Sequence, residues 1–122
     1  LTLHNRARDI VPDFLYAVVA NHPSLAVMVR GEPVAVGGCI PLTDQHAAVW
    51  LLCTDGLAEA DVGVRATRVM RRQVDEWARR WSLINVLDGH NALHLKFVRA
   101  LGFEFGDRDG RALLFKREAA HV

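Results

Sequence analysis

The chain has 122 residues, 51% of them hydrophobic and 24% charged, with a formal net charge of +1 at pH 7. That length fits one domain over residues 1–122, and so much apolar material excludes a disordered chain. A charge so near zero argues against a nucleic-acid partner, and no apolar run approaches the roughly 18 residues of a membrane span.

The chain opens on Leu1 with no leader pattern, and an earlier natural start is expected. Residues 4–22 read as helical: Phe14, Leu15, Val18 and Val19 make an apolar face, Pro12 divides the segment into two short helices, and Asn21-His22-Pro23 stops it. Three strands follow, LAVMVR from Leu25, VAVGGCI from Val34 and HAAVWLLC from His46. The turns at Gly31-Glu32-Pro33 and Pro41 to Gln45 are short, so these strands are antiparallel neighbours. Gly37-Gly38 marks a bulge or a point of close approach. Cys39 is expected opposite a residue near Ala47 and Cys53 opposite one near Pro33. So placed they cannot bridge, and free thiols in a reducing compartment follow.

Residues 54–61, TDGLAEAD, read as a polar loop, and a long helix runs from about Asp61 to Ser82. Its apolar face is Ala66, Val69, Met70, Val74, Trp77 and Trp81, spaced by threes and fours. Arg65, Arg68, Arg72 and Arg79 line the other side as a solvated stripe paired with Asp75 and Glu76; four arginines are too few for a nucleic-acid surface. Leu83, Ile84, Val86 and Leu87 make a short buried strand, expected to be central and to lie under the long helix, with Trp77 and Trp81 pointing into the sheet. Asp88-Gly89-His90 breaks it, and Asn91 is placed to cap a helix that carries Leu93, Phe97, Val98 and Leu101 at helical spacing. Gly102 ends that helix. Residues 103–117 read as a hairpin turning at Gly106 to Gly110.

This order of elements resembles the GNAT N-acetyltransferase superfamily. Asn91, Phe97, Gly102 and Phe103 stand in register with that family's Asn, aromatic and Gly-Phe pattern. The resemblance implies an α/β (α+β) fold: a mixed, mostly antiparallel central sheet flanked by helices, with the first strand absent or preceding Leu1. It also implies acetyl-CoA in the splay between the strand ending at Cys53 and the strand at 83–87. The cofactor-binding residues would be Thr54, Gly63, Arg65 and Asn91.

Two departures bear on activity. The family's glycine-rich phosphate loop corresponds to Asp61-Val62-Gly63-Val64-Arg65-Ala66, which keeps Gly63 and carries Arg65 in place of a second glycine. That arginine either blocks a phosphate or contacts it. Where the family often has a tyrosine that protonates the CoA thiolate stands Val98, and the strand at 46–53 has no carboxylate to act as base.

A narrower resemblance covers residues 49–106. VWLLCTDGL, the arginine-rich helix and LINVLDGHNALHLKFVRALGF are similar to acetyltransferase-like internal virion or morphogenesis proteins of short-tailed bacteriophages. It implies an inactive enzyme, without catalytic residues or cofactor, working against other phage structural proteins in the host cytoplasm and the virion. The alternative is an active N-acetyltransferase using acetyl-CoA and an amine acceptor.

Other chemistry reads weakly. His90 and His94 are four apart, but His90 precedes the helix cap and no further ligand completes a metal set. His94 is a partly exposed helix residue and the best substitute proton shuttle. Cys53 reads as a structural thiol, and Trp50, Trp77 and Trp81 as core or interface anchors.

Overall fold

A computed structural model describes residues 2–4 and 22–119. The helical reading of residues 4–22 falls almost wholly outside them. Seven strands form one sheet: β1 (Thr2–His4), β2 (Ser24–Val29), β3 (Glu32–Pro41), β4 (His46–Cys53), β5 (Ser82–Asp88), β6 (Glu104–Asp109) and β7 (Ala112–Arg117), in the order β1-β2-β3-β4-β5-β7-β6. Among the described residues two helices lie between strands, α1 (Ala60–Ala78) and α2 (Ala92–Ala100). Among the described residues β4 and β5 make a parallel pair and the remaining pairings are antiparallel. A parallel neighbour requires a crossover, and α1 supplies it.

The first strand, expected to be absent or to precede Leu1, lies within the chain: Thr2–His4 pairs with β2 at Met28, Val27 and Ala26. The final hairpin also differs from expectation. Gly106 and Asp107 lie within β6 at a register shift between Phe105 and Arg108, and the chain reverses at Gly110, whose φ is +60°. A bulge absorbs the glycine inside the strand, so the tighter turn falls at the second glycine.

Both helices cover one face of the sheet. Met70, Val74 and Trp77 of α1 join Phe97, Val98 and Leu101 of α2 over Leu25, Cys39, Val49, Leu83 and Leu87. β5 is therefore a central strand under the long helix, and Trp77 and Trp81 are both buried in this core. At the base of the core Phe103 and Phe115 meet edge to face, 5.1 Å apart. The opposite face carries Ala26 and Val36 with Met28 and Trp50. Gly38 lies in a continuous ladder, so it is a point of close approach rather than a bulge. A Cβ there would fall 2.7 Å from both the Pro23 carbonyl and the Trp50 indole nitrogen.

The arginine stripe is exposed as the pattern implies, and Arg79 pairs with Glu76 at 3.9 Å. Asp75 turns instead to Arg117 of β7.

Cys39 stands opposite Val49 and Cys53 opposite Ala35, two residues along from the expected partners, and both thiols are free. Burial pushes the Cys39 thiol up to about 11; Cys53 is also raised, by burial and then by the Asp55 carboxylate. Since the thiolate is the nucleophile, alkylation of the native protein is expected to label half-buried Cys53 first and Cys39 only on unfolding. Mass spectrometry that finds a bridged species, or equal native labelling rates, contradicts this.

Candidate functional site

The parallel ladder between β4 and β5 is short. It pairs His46 with Ser82, Ala47 with Leu83 and Ala48 with Ile84, then stops, although β4 runs on to Cys53 and β5 to Asp88. The strands thus part toward their carboxyl ends, where open α/β sheets bind ligands. Two apolar side chains on the parted segments remain uncovered, Leu52 at 41% and Val86 at 56% exposure.

A cavity of about 490 Å³ lies between α1 and α2, beneath the 3-10 turn Asp55–Ala58. Leu57, Gly63, Val64, Leu93 and Phe97 make its apolar wall, and its polar side chains are Glu59, Thr67 and Lys96. That volume falls in the range of small-molecule sites. Gly63 gives the cavity its shape. The 3-10 turn crosses the first turn of α1 so closely that a Cβ on Gly63 would fall 2.6 Å from the Leu57 carbonyl oxygen. Glu59, at the N-cap of α1, makes no side-chain capping bond, so the first amides of the helix keep their unspent donors.

The structure disperses the four residues expected to hold a cofactor. Gly63 lines the cavity. Thr54 does not: its hydroxyl donates to the Pro33 carbonyl at 2.9 Å, tying the end of β4 to β3, and it lines a second cavity of about 510 Å³ with Arg30, Glu32 and Asp55. Arg65 is exposed, 4.0 Å from Asp61 one turn earlier, and lines neither cavity. It follows Val64 by one residue, about 100° round the helix, which takes it off the cavity wall, so it neither blocks nor lines the site. Asn91 caps α2, its side-chain oxygen accepting the His94 amide at 3.0 Å. Val98, in the place of the tyrosine, is fully buried in the core.

Lys96 and Thr67 were missed by sequence reasoning. A signal existed for Lys96: it lies three residues after Leu93 and four before Ala100, at the edge of the apolar face of α2. Thr67 carries no comparable signal. Among the described residues no group of histidines, cysteines and carboxylates gathers at metal-binding distance. No helix among them is long and apolar enough to cross a membrane.

His94 shares its helix face with Phe97, Val98 and Leu101, and its Nε2 is buried without a hydrogen-bond partner. Burial holds its pKa below the ordinary 6.5. As pH falls from about 6.5 the unfolded chain takes up a proton first, so stability is complete above that value. It then declines until the buried ring itself titrates. The unfolding midpoint of the wild type is therefore expected to drop more between pH 7 and pH 5 than that of His94→Leu. Parallel pH curves for the two proteins contradict the assignment.

No protein-family model and no curated protein matches this chain. Solved structures do. The PaiA N-acetyltransferase of Thermoplasma acidophilum, in complex with coenzyme A, aligns with a TM-score of 0.63 at 11% identity, over 85% of this chain and 69% of that one. Campylobacter jejuni N-acetyltransferase PseH, in complex with acetyl coenzyme A, aligns at 0.58 and 13%, over 88% and 76%. The ribosomal-protein-S18-alanine N-acetyltransferase of Escherichia coli aligns at 0.57 and 13%, over 83% and 71%. The fold is the GNAT acetyltransferase fold.

Proposed function

We propose that this chain is an acetyltransferase-fold protein that keeps the groove for an acyl-CoA but has lost the groups that run the transfer. The observation that carries the reading is the lining of the cavity between α1 and α2. Its polar side chains are Glu59, Thr67 and Lys96, and the residue in the tyrosine position, Val98, is packed in the core. None of these polar side chains stands in the tyrosine position, and Lys96 lies on the far side of α2 from Val98. A missing general acid costs about 10²–10⁴ in rate. Binding is weakened as well. An anion at the start of α1 would meet the amides of the first turn, which attract it, and the carboxylates of Glu59 and Asp61, which repel it.

The test is titration of acetyl-CoA into the purified chain, with transfer to amine acceptors followed in parallel. Weak or absent binding and no transfer above background are expected. Saturable micromolar binding with measurable transfer would revive the active enzyme. In that event Lys96→Ala is expected to weaken binding about tenfold, the loss of one charge-assisted contact, while Arg65→Ala leaves it unchanged.

A role in the virion or in morphogenesis, against other phage structural proteins, is part of the same proposal. It rests on the sequence resemblance of residues 49–106 to the phage group. Detection of the chain by mass spectrometry in purified particles supports it, and a complete particle inventory without the chain removes it.

A further inference from the structure

The side chain of Asn85 lies where the sheet ought to continue. The Ser82 amide of β5 donates to the Gln45 carbonyl at 2.8 Å, which starts the parallel ladder at its lower end. Such bonds recur every second residue along a parallel pair. In the observed register the next in this series join the Ile84 amide to Ala47 and the Val86 amide to the Val49 carbonyl. That last bond is replaced by two others. The Asn85 Nδ2 donates to the Val49 carbonyl at 2.6 Å, and the Asn85 Oδ1 accepts the Val86 amide at 2.7 Å. A planar carboxamide is thus threaded between the two groups that would otherwise meet, and it satisfies both.

We propose that Asn85 is a positioning residue, a wedge that parts β4 from β5 and sets the aperture of the cleft between them. A carboxamide suits the task because it offers a donor and an acceptor on one rigid plane, matching the carbonyl on one strand and the amide on the other. Interposing it moves the strands apart by its own width at no loss of hydrogen bonds, so the opening costs little. The other flank of β5 is unaffected, because its ladder with β7 runs unbroken from Leu83–Arg117 to Asp88–Ala112. Separation is therefore confined to the side facing β4. The proposal bears on an acyl-CoA groove only in that this aperture is where a thioester arm would lie; its test involves no cofactor.

Through-hydrogen-bond couplings in isotope-labelled protein read the arrangement directly. In the wild type the Val86 amide is expected to couple to the Asn85 side-chain carbonyl, with one Asn85 Nδ2 proton protected from exchange. In Asn85→Ala the Val86 amide is expected to couple to the Val49 carbonyl instead, with new proton contacts between β4 and β5. Asn85→Asp keeps the acceptor but sets an oxygen against the Val49 carbonyl; it is expected to fold with the Val86 coupling retained and the strands still apart. Two results overturn the wedge: both Nδ2 protons exchanging at the solvent rate in the wild type, or β4 and β5 staying apart in a folded Asn85→Ala. Should the alanine variant not fold, the wild-type and aspartate measurements decide. A positive result stands even where acetyl-CoA fails to bind.

Discussion

Truncation of Trp77 to alanine is expected to cost about 3–5 kcal/mol of unfolding free energy, the range for removing a large aromatic from a packed interior. Trp77 is 6% exposed and sits in the last turn of α1, in one cluster with Val74 and Met70 of its own helix and Leu83 of β5. It therefore helps to seal the long crossover helix onto the sheet. The hole left behind has little chance to close, because Ala78 beside it is already small and fully buried. Urea unfolding measures the effect: the midpoint should fall steeply while the slope stays constant. An unchanged midpoint would sink the placement of Trp77 in the core.

The second large effect concerns Gly63. Inside an exposed helix, glycine to alanine gains about 1 kcal/mol from propensity alone. Here the sign is expected to reverse. The new Cβ would sit 2.6 Å from the Leu57 carbonyl oxygen, a backbone atom held in the 3-10 turn, which cannot swing aside as a side-chain tip could. Forcing that turn outward carries the overpacking cost of about 1–3 kcal/mol. It would also reshape the cavity, since Leu57 and Gly63 both line it. Calorimetry of Gly63→Ala checks the sign: a stabilised variant would show that the turn yields freely.

Much of this fold was legible because it is written locally. Helix α1 was announced by Ala66, Met70, Val74 and Trp77 recurring on one face, and each of these proved buried. HAAVWLLC was bounded correctly as β4, since a short continuous apolar run between polar turns marks a strand without help from the rest of the chain. Asn91 capped α2 as its chemistry suggests, and Gly102, with φ +90°, closed it. These are contacts within three or four residues, and local sequence is enough to decide them.

The site was less legible, because it is made of contacts between distant residues. Thr54 has a side chain suited to a ligand, but its hydroxyl was claimed by Pro33, 21 residues away in sequence. Arg65 differs from a cavity-lining residue only by its angle around α1, and that angle acquires meaning once α2 is packed alongside. Lys96 belongs to the groove for the same reason. Asn85 gave no sign of a role in the sequence; it found its partner in Val49, 36 residues away, and there it replaces a bond of the ladder. By itself, then, the sequence determined β2 to β7 and the two described helices to within a few residues, which faces are apolar and that the whole has an acetyltransferase-like order, because side-chain periodicity and capping act over a few residues; β1, three residues long, was too short to leave a periodic signal. Which face of each helix borders the groove, which polar side chains are spent on structure and where β4 and β5 part were decided by tertiary structure alone. Those outcomes depend on the relative placement of elements, and that placement is fixed only when one shared core is packed.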